Sequence, residues 1–149
     1  MVVTEVIEVP RSRAEAFAYV ADFTTVAEWD PGIQTSRKVS GDGGIGSVYD
    51  VQADFRGKTV PFTYTVTAFE QDRRIVLDGV GEKASSLDTI VFEPSGDGGT
   101  RITYTADFRL KGVLRLAEPF LGRTFTTLAQ HALAGLEARL GDASGSLGT

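Results

Sequence analysis

Between Ile33 and Leu110 the chain is an almost unbroken run of short alternating segments, and that run constrains the fold more than any other feature. Segments 33–40, 46–55, 59–70, 73–80, 86–94 and 100–110 are each of strand length. Turn chemistry separates them: Gly-Asp-Gly-Gly at 41–44 and again at 96–99, Arg56-Gly57-Lys58, Gln71-Asp72, and a Gly79–Ala84 stretch read as a loop. Parallel strands need crossovers of a dozen or more residues, so connections this short predict antiparallel hairpins. Seventeen glycines in 149 residues, above the usual share of about 7%, fit a chain with many turns.

The alternation also says which face is buried. Tyr49, Val51, Ala53 and Phe55 share a face opposite Asp50, Gln52 and Asp54. Val60, Phe62, Tyr64, Val66 and Ala68 oppose Thr63, Thr65 and Thr67. Ile102, Tyr104, Ala106, Phe108 and Leu110 oppose Thr103, Thr105, Asp107 and Arg109. One apolar face and one wet face mark an antiparallel sheet covered on one side.

The rest of the chain supplies the cover. Val2–Val9 reads as a further strand, followed by a helical stretch over 13–23 that Ser12 and Glu15 open with capping-box spacing. A second short helical piece, 24–30, stops at Pro31-Gly32. From Val113 to Leu140 the period becomes helical, with Leu114, Ala117, Leu121, Phe125, Leu128, Ala132, Leu136 and Leu140 on one stripe. Pro119 predicts a kink or a separate first turn near Glu118, and Gly141 ends the helix. The expectation is one α+β domain over 1–141, about seven antiparallel strands curved around a long C-terminal helix, with a flexible tail at 142–149. A sheet curled about one amphipathic helix leaves a hollow between them.

Composition excludes much chemistry. With no Cys and one His, thiol nucleophiles, thiolate zinc sites and a multi-histidine metal site cannot form within the chain. No metal and no cofactor are expected. A net charge of −5 with only scattered basic pairs offers no footprint for nucleic acid. No apolar run is long enough to span a bilayer, and the N-terminal segment lacks signal-peptide features, so a cytoplasmic location is expected. Gly41–Gly46 fits GxGxxG and Gly79–Ala84 its GxGxxA variant, but strand-like sequence follows each. A dinucleotide fingerprint needs a helix N-terminus there, so both read as hairpin chemistry.

The order of these elements resembles the START/Bet v-type helix-grip superfamily, and within it the SRPBCC polyketide cyclase/dehydrase and lipid-transport family. The residues that carry the likeness are Val9-Pro10 with Glu15-Ala16-Phe17, Val20-Ala21-Asp22, Glu28-Trp29-Asp30-Pro31, Gly46, Tyr64-Thr65-Val66, Asp88 through Pro94, Gly99 through Tyr104, Gly112, Pro119, Leu133 and Leu136. The likeness spans residues 2–140. It implies a helix-grip fold with a cavity that holds a hydrophobic ligand, and places Trp29 near the cavity mouth.

Within such a hollow, Tyr49, Tyr64 and Tyr104 lie on apolar strand faces, so each hydroxyl either meets a ligand or packs in the core with a backbone or water partner. Asp88 shares a face with Ile90 and Phe92, while Leu87 and Val91 make the opposite face apolar too. It is read as a buried acid or base, or as a partner of Arg74, or as a solvent-facing residue. Glu118 falls in the helix stripe, and His131 on its flank. The catalytic candidates are Asp88, Tyr64 and Tyr104. The ligand-binding set is Trp29, Tyr49, Phe62, Tyr64, Tyr104, Phe108, Phe125 and Leu128.

Three functions follow. The first is binding of a small lipid- or polyketide-like molecule between sheet and helix. The second is an aromatase/cyclase or dehydratase that uses cavity Asp and Tyr groups for proton transfer. The third is a protein-interaction module with a closed cavity, for which the interior volume should fall below about 100 Å³, against roughly 300 Å³ or more for ligand sites.

Overall fold

A computed structural model describes residues 1–141; the tail expected at 142–149 lies outside the described residues. Strand β1 (Val2–Val9) leads into helix α1 (Arg13–Ala21), a 3₁₀ turn (Phe23–Thr25) and helix α2 (Val26–Trp29). Six strands follow: β2 (Ile33–Ser40), β3 (Val48–Phe55), β4 (Lys58–Glu70), β5 (Arg74–Gly81), β6 (Ala84–Ser95) and β7 (Gly99–Leu110). A second 3₁₀ turn (Gly112–Ala117) then feeds helix α3 (Glu118–Leu140).

All seven strands form one antiparallel sheet in the order β1-β7-β6-β5-β4-β3-β2. β2 through β7 are plain successive hairpins, as their short turns require. The β3–β4 turn shows why: Arg56 and Gly57 have φ of 53° and 81°, the two-residue left-handed turn that matches strand twist. Register shifts interrupt β4 between Val66 and Ala68 and β2 at two places. Such bulges bend a strand and add twist, which helps the sheet curl.

α1 starts where Ser12 accepts a hydrogen bond from the Glu15 N–H at 3.2 Å, closing the first turn. Its Phe17 meets Phe69 and Phe92 edge-on, each at 5.2 Å, and so anchors one end of the sheet. Tyr19 on α1, Glu28 on α2 and Arg139 on α3 join the three helices, with Tyr19 Oη donating to Glu28 and Arg139 bonding both.

The C-terminal helix departs in part from its sequence pattern. Pro119 sits in the first turn of α3, where its missing N–H costs nothing, and residues 112–117 form a separate 3₁₀ turn. Burial then rises along the stripe from its N-terminal to its C-terminal end. Phe125, Ala132, Leu133, Leu136 and Leu140 are buried, whereas Leu114, in the preceding 3₁₀ turn, is 39% exposed. The C-terminal half of α3 plugs the core; its N-terminal half meets the sheet through Phe125 and otherwise borders a hollow. Gly135 permits the close approach, because a Cβ there would lie 1.9 Å from the Trp29 carbonyl oxygen.

The Gly79–Ala84 stretch is not a loop. Gly79 and Gly81 are strand residues of β5 and Ala84 opens β6, leaving only two residues to turn the chain. These glycines supply space. A Cβ on Gly79 would meet the Tyr64 ring at 2.5 Å, and one on Gly81 the Phe62 ring at 2.9 Å.

Candidate functional site

Where α3 stands off the sheet, the interior holds a cavity of about 390 Å³. That volume is above the roughly 100 Å³ expected of an interaction module with a closed cavity and within the range of ligand sites. A second hollow of about 490 Å³, bounded by Gly112, Arg115, Leu116, Glu118 and Pro119, is a shallow surface depression. The concave face of the sheet and α3 wall the first hollow almost entirely with apolar groups.

Six residues named from the sequence stand in that wall as ligand-binding candidates: Phe62 and Tyr64 on β4, Tyr104 and Phe108 on β7, and Phe125 and Leu128 on α3. Asp88 on β6 stands there too. Two others do not. Trp29 is only 3% exposed and turns its ring edge-on to Tyr104 at 6.2 Å, so it backs a wall residue. Tyr49 is 1% exposed and packs against Phe23 at 5.8 Å. Both are outside the cavity because segment 23–29 packs down onto the core, carrying Trp29 with it and setting Phe23 over Tyr49. Glu118 accepts a hydrogen bond from the Leu110 N–H at 3.2 Å and is absent from the wall. His131 is exposed on its helix flank.

Phe125 lies between two other phenyl rings. It stacks on Phe108 at 4.8 Å and on Phe55 at 6.3 Å. Phe55 is on β3 and Phe108 on β7, strands separated by three others in the sheet, so the stack spans the curve of the sheet. The exposed wall residues Lys58, Lys83 and Arg109 all lie at strand ends or turns on this side. They mark the mouth.

The inner part is acidic. Asp88 is 4% exposed, with one carboxylate oxygen accepting from Ser86 Oγ and the other from Tyr104 Oη. It has no bond to Arg74, which pairs with Glu70 at 2.8 Å. Burial pushes its carboxyl up from 3.8 to about 6, against the opposing pull of those two donors. Asp30, not singled out as a site residue from the sequence, stands in the same wall. Burial raises it to about 6 as well; the Gly32 N–H, at 2.8 Å, opposes the rise and the charge on Asp88 adds to it. Tyr64 and Tyr104 are driven well above 10, first by burial and then by the charge on Asp88. Both phenols therefore remain hydrogen-bond donors at any physiological pH, and both carboxyls are raised to about 6. That combination can orient a polar ligand group or move a proton.

A curved antiparallel sheet gripping a C-terminal helix over an apolar hollow defines a START-type helix-grip protein. The sequence matches the family described as polyketide cyclase / dehydrase and lipid transport over residues 1–141. The chain belongs to that family. Solved structures agree on the fold. TTHA0849 from Thermus thermophilus superposes with a TM-score of 0.81 at 19% identity, covering 94% of this chain and 97% of that one. A START superfamily protein from Mycobacterium smegmatis gives 0.76 at 20% identity, over 93% and 96%. The Zhui aromatase/cyclase from Streptomyces sp. R1128 gives 0.73 at 15% identity, over 98% and 99%. No curated protein matches the sequence. Among the described residues no group of three or more His, Cys, Asp or Glu is arranged to hold a metal. No described helix is long and apolar enough to cross a membrane.

Proposed function

We propose that the protein binds a small, largely hydrophobic molecule in the cavity between sheet and α3. The observation that carries this reading is an apolar-walled space of about 390 Å³ on whose inner part four polar side chains converge, Asp30, Tyr64, Asp88 and Tyr104. Ligand sites have this anatomy: apolar surface for affinity, a few placed polar groups for orientation. The family description, with its lipid transport and polyketide chemistry, supports the same class of ligand. A small molecule, rather than nucleic acid, is the proposed partner, and the cytoplasm the proposed location.

The test is binding of a fluorescent hydrophobic probe, with native mass spectrometry of the purified protein alongside. Ala129 stands in the wall, so Ala129→Phe fills the space. The expected result is probe binding or a co-purified small molecule in the wild type, reduced at least about tenfold in the filled variant. Bare protein with no probe binding would sink the proposal.

One observation favours a second reading, that the ligand is also transformed. Asp88 bonds a phenol and a hydroxyl at once and is raised to about 6, toward the range of a proton-transfer group. In that reading the cavity shapes a flexible polyketide while Asp88, with Tyr104 or Tyr64, moves its proton, in an aromatase/cyclase or dehydratase reaction.

A further inference from the structure

The charged groups of the cavity wall are sorted by place. Lys58, Lys83 and Arg109 stand exposed in it together with one carboxylate, Asp54, whereas Asp88 is buried and Asp30 half-buried, with no cationic side chain bonded to either. Among the ion pairs of the described residues, neither aspartate takes part in any. Two carboxyl groups thus share an apolar space without a cation, an arrangement that proteins ordinarily compensate.

Their hydrogen-bonding capacity is also unspent. An ionised carboxylate offers about four acceptor sites. Asp88 uses two, for Ser86 and Tyr104, and Asp30 uses one, for the Gly32 N–H. Tyr64 stands beside them in the cavity wall, 8% exposed. Ser86 gives its proton to Asp88 and can still accept one from the Tyr64 hydroxyl. The groups facing the aspartates are therefore Tyr64 from β4, Ser86 from β6 and Tyr104 from β7, while α3 contributes Leu128, Ala129, Ala132 and Leu133. None of these is cationic.

We infer that the ligand of this cavity carries a basic nitrogen, an apolar molecule ending in a protonated amine whose head meets Asp30 and Asp88. This rests on the ligand-binding reading and names the ligand's chemical class. An ammonium group brings three donors and one positive charge to acceptors that lack both. The rings of Tyr64 and Tyr104 add aromatic faces suited to a cation. A ligand carboxylate or phosphate at this end would meet two like charges. A neutral alcohol or carbonyl would leave the carboxylate charge uncompensated.

Three probes of one shape test it: 1-naphthylmethylamine, 1-naphthalenemethanol and 1-naphthoic acid, titrated calorimetrically into the wild-type protein at pH 7.5. The amine should bind at least about tenfold more tightly than the alcohol, the span of a charge-assisted hydrogen bond, and the acid most weakly. In Asp30→Asn and Asp88→Asn the amine's advantage over the alcohol should disappear. A measurement needing no variant supports this: at pH 6 amine binding should release protons, seen as a buffer-dependent heat, and alcohol binding should not. Equal or tighter binding of the alcohol or the acid overturns the inference and leaves the cavity reading standing. Binding of none of the three overturns both.

Discussion

Asp88 is a buried carboxyl with two hydroxyl donors and no ion pair among the described residues. Its carboxyl is raised from 3.8 to about 6 in the folded chain, so the folded state holds a proton that the unfolded state releases. Stability therefore falls as pH rises from about 4 to about 6, then levels off once both states are ionised. The gap between those two values corresponds to about 3 kcal/mol. Asp88→Asn should thus be more stable than wild type by about 1–3 kcal/mol at pH 8, with the difference closing near pH 4. Urea denaturation at both pH values measures this, and an equal or lower stability at pH 8 would contradict it. Under the proton-transfer reading the same stabilised variant loses turnover of a polyketide mimic. At this scale the sequence is only half legible. The inward faces of β4 and β7 show through alternation, which brings Phe62, Tyr64, Tyr104 and Phe108 into view. Asp88 stays ambiguous because Leu87 and Val91 make both faces of β6 apolar, and only the three-dimensional register shows Leu87, 43% exposed, on the outside. Asp30 escapes notice because Asp-Pro-Gly reads as a helix stop. The same three residues that end α2 also turn a carboxyl into the hollow.

At the scale of elements, each strand and helix follows from a local rule, and the departures have local causes. Period-2 alternation locates the strands, and Pro119 locates the break before α3. Gly79 and Gly81 mislead because glycine signals a turn in most contexts; here it leaves room for a ring on the neighbouring strand. Gly135 is a similar case inside a helix. Its intrinsic cost relative to alanine is about 1 kcal/mol, offset by the contact it allows with α2. Gly135→Ala should therefore destabilise the protein by about 1–3 kcal/mol despite alanine's better helix propensity, since overpacking costs that much. Thermal denaturation would show a lowered midpoint, and a raised one would mean that α3 and α2 separate freely.

The molecule as a whole is an open sheet closed by one helix, and its two ends serve different purposes. Phe17, Leu136 and Leu140 make one end solid, each 1% exposed or less; the other end is hollow. The stacked Phe55, Phe125 and Phe108 stand near the mouth of the hollow end. Phe125→Leu keeps apolar bulk but removes the stack, so probe association should speed up severalfold while affinity changes less. Stopped-flow fluorescence would report this, and unchanged rates would place the route of access elsewhere. The architecture is legible as a whole because alternation and helical period leave few ways to combine a seven-stranded sheet with one long amphipathic helix. The cavity's existence is legible only as an implication. Its volume depends on how far α3 stands off the sheet, and no periodicity encodes that distance.

The pairing of Gly79 with the Tyr64 ring has a historical consequence. A methyl group at position 79 would fall 2.5 Å from that ring, so any side chain there is excluded while the tyrosine remains. Once position 64 becomes small, position 79 is released. The two sites are therefore epistatic, and in a lineage changing the size of its ligand the strand carrying the ring must change before the strand beneath it.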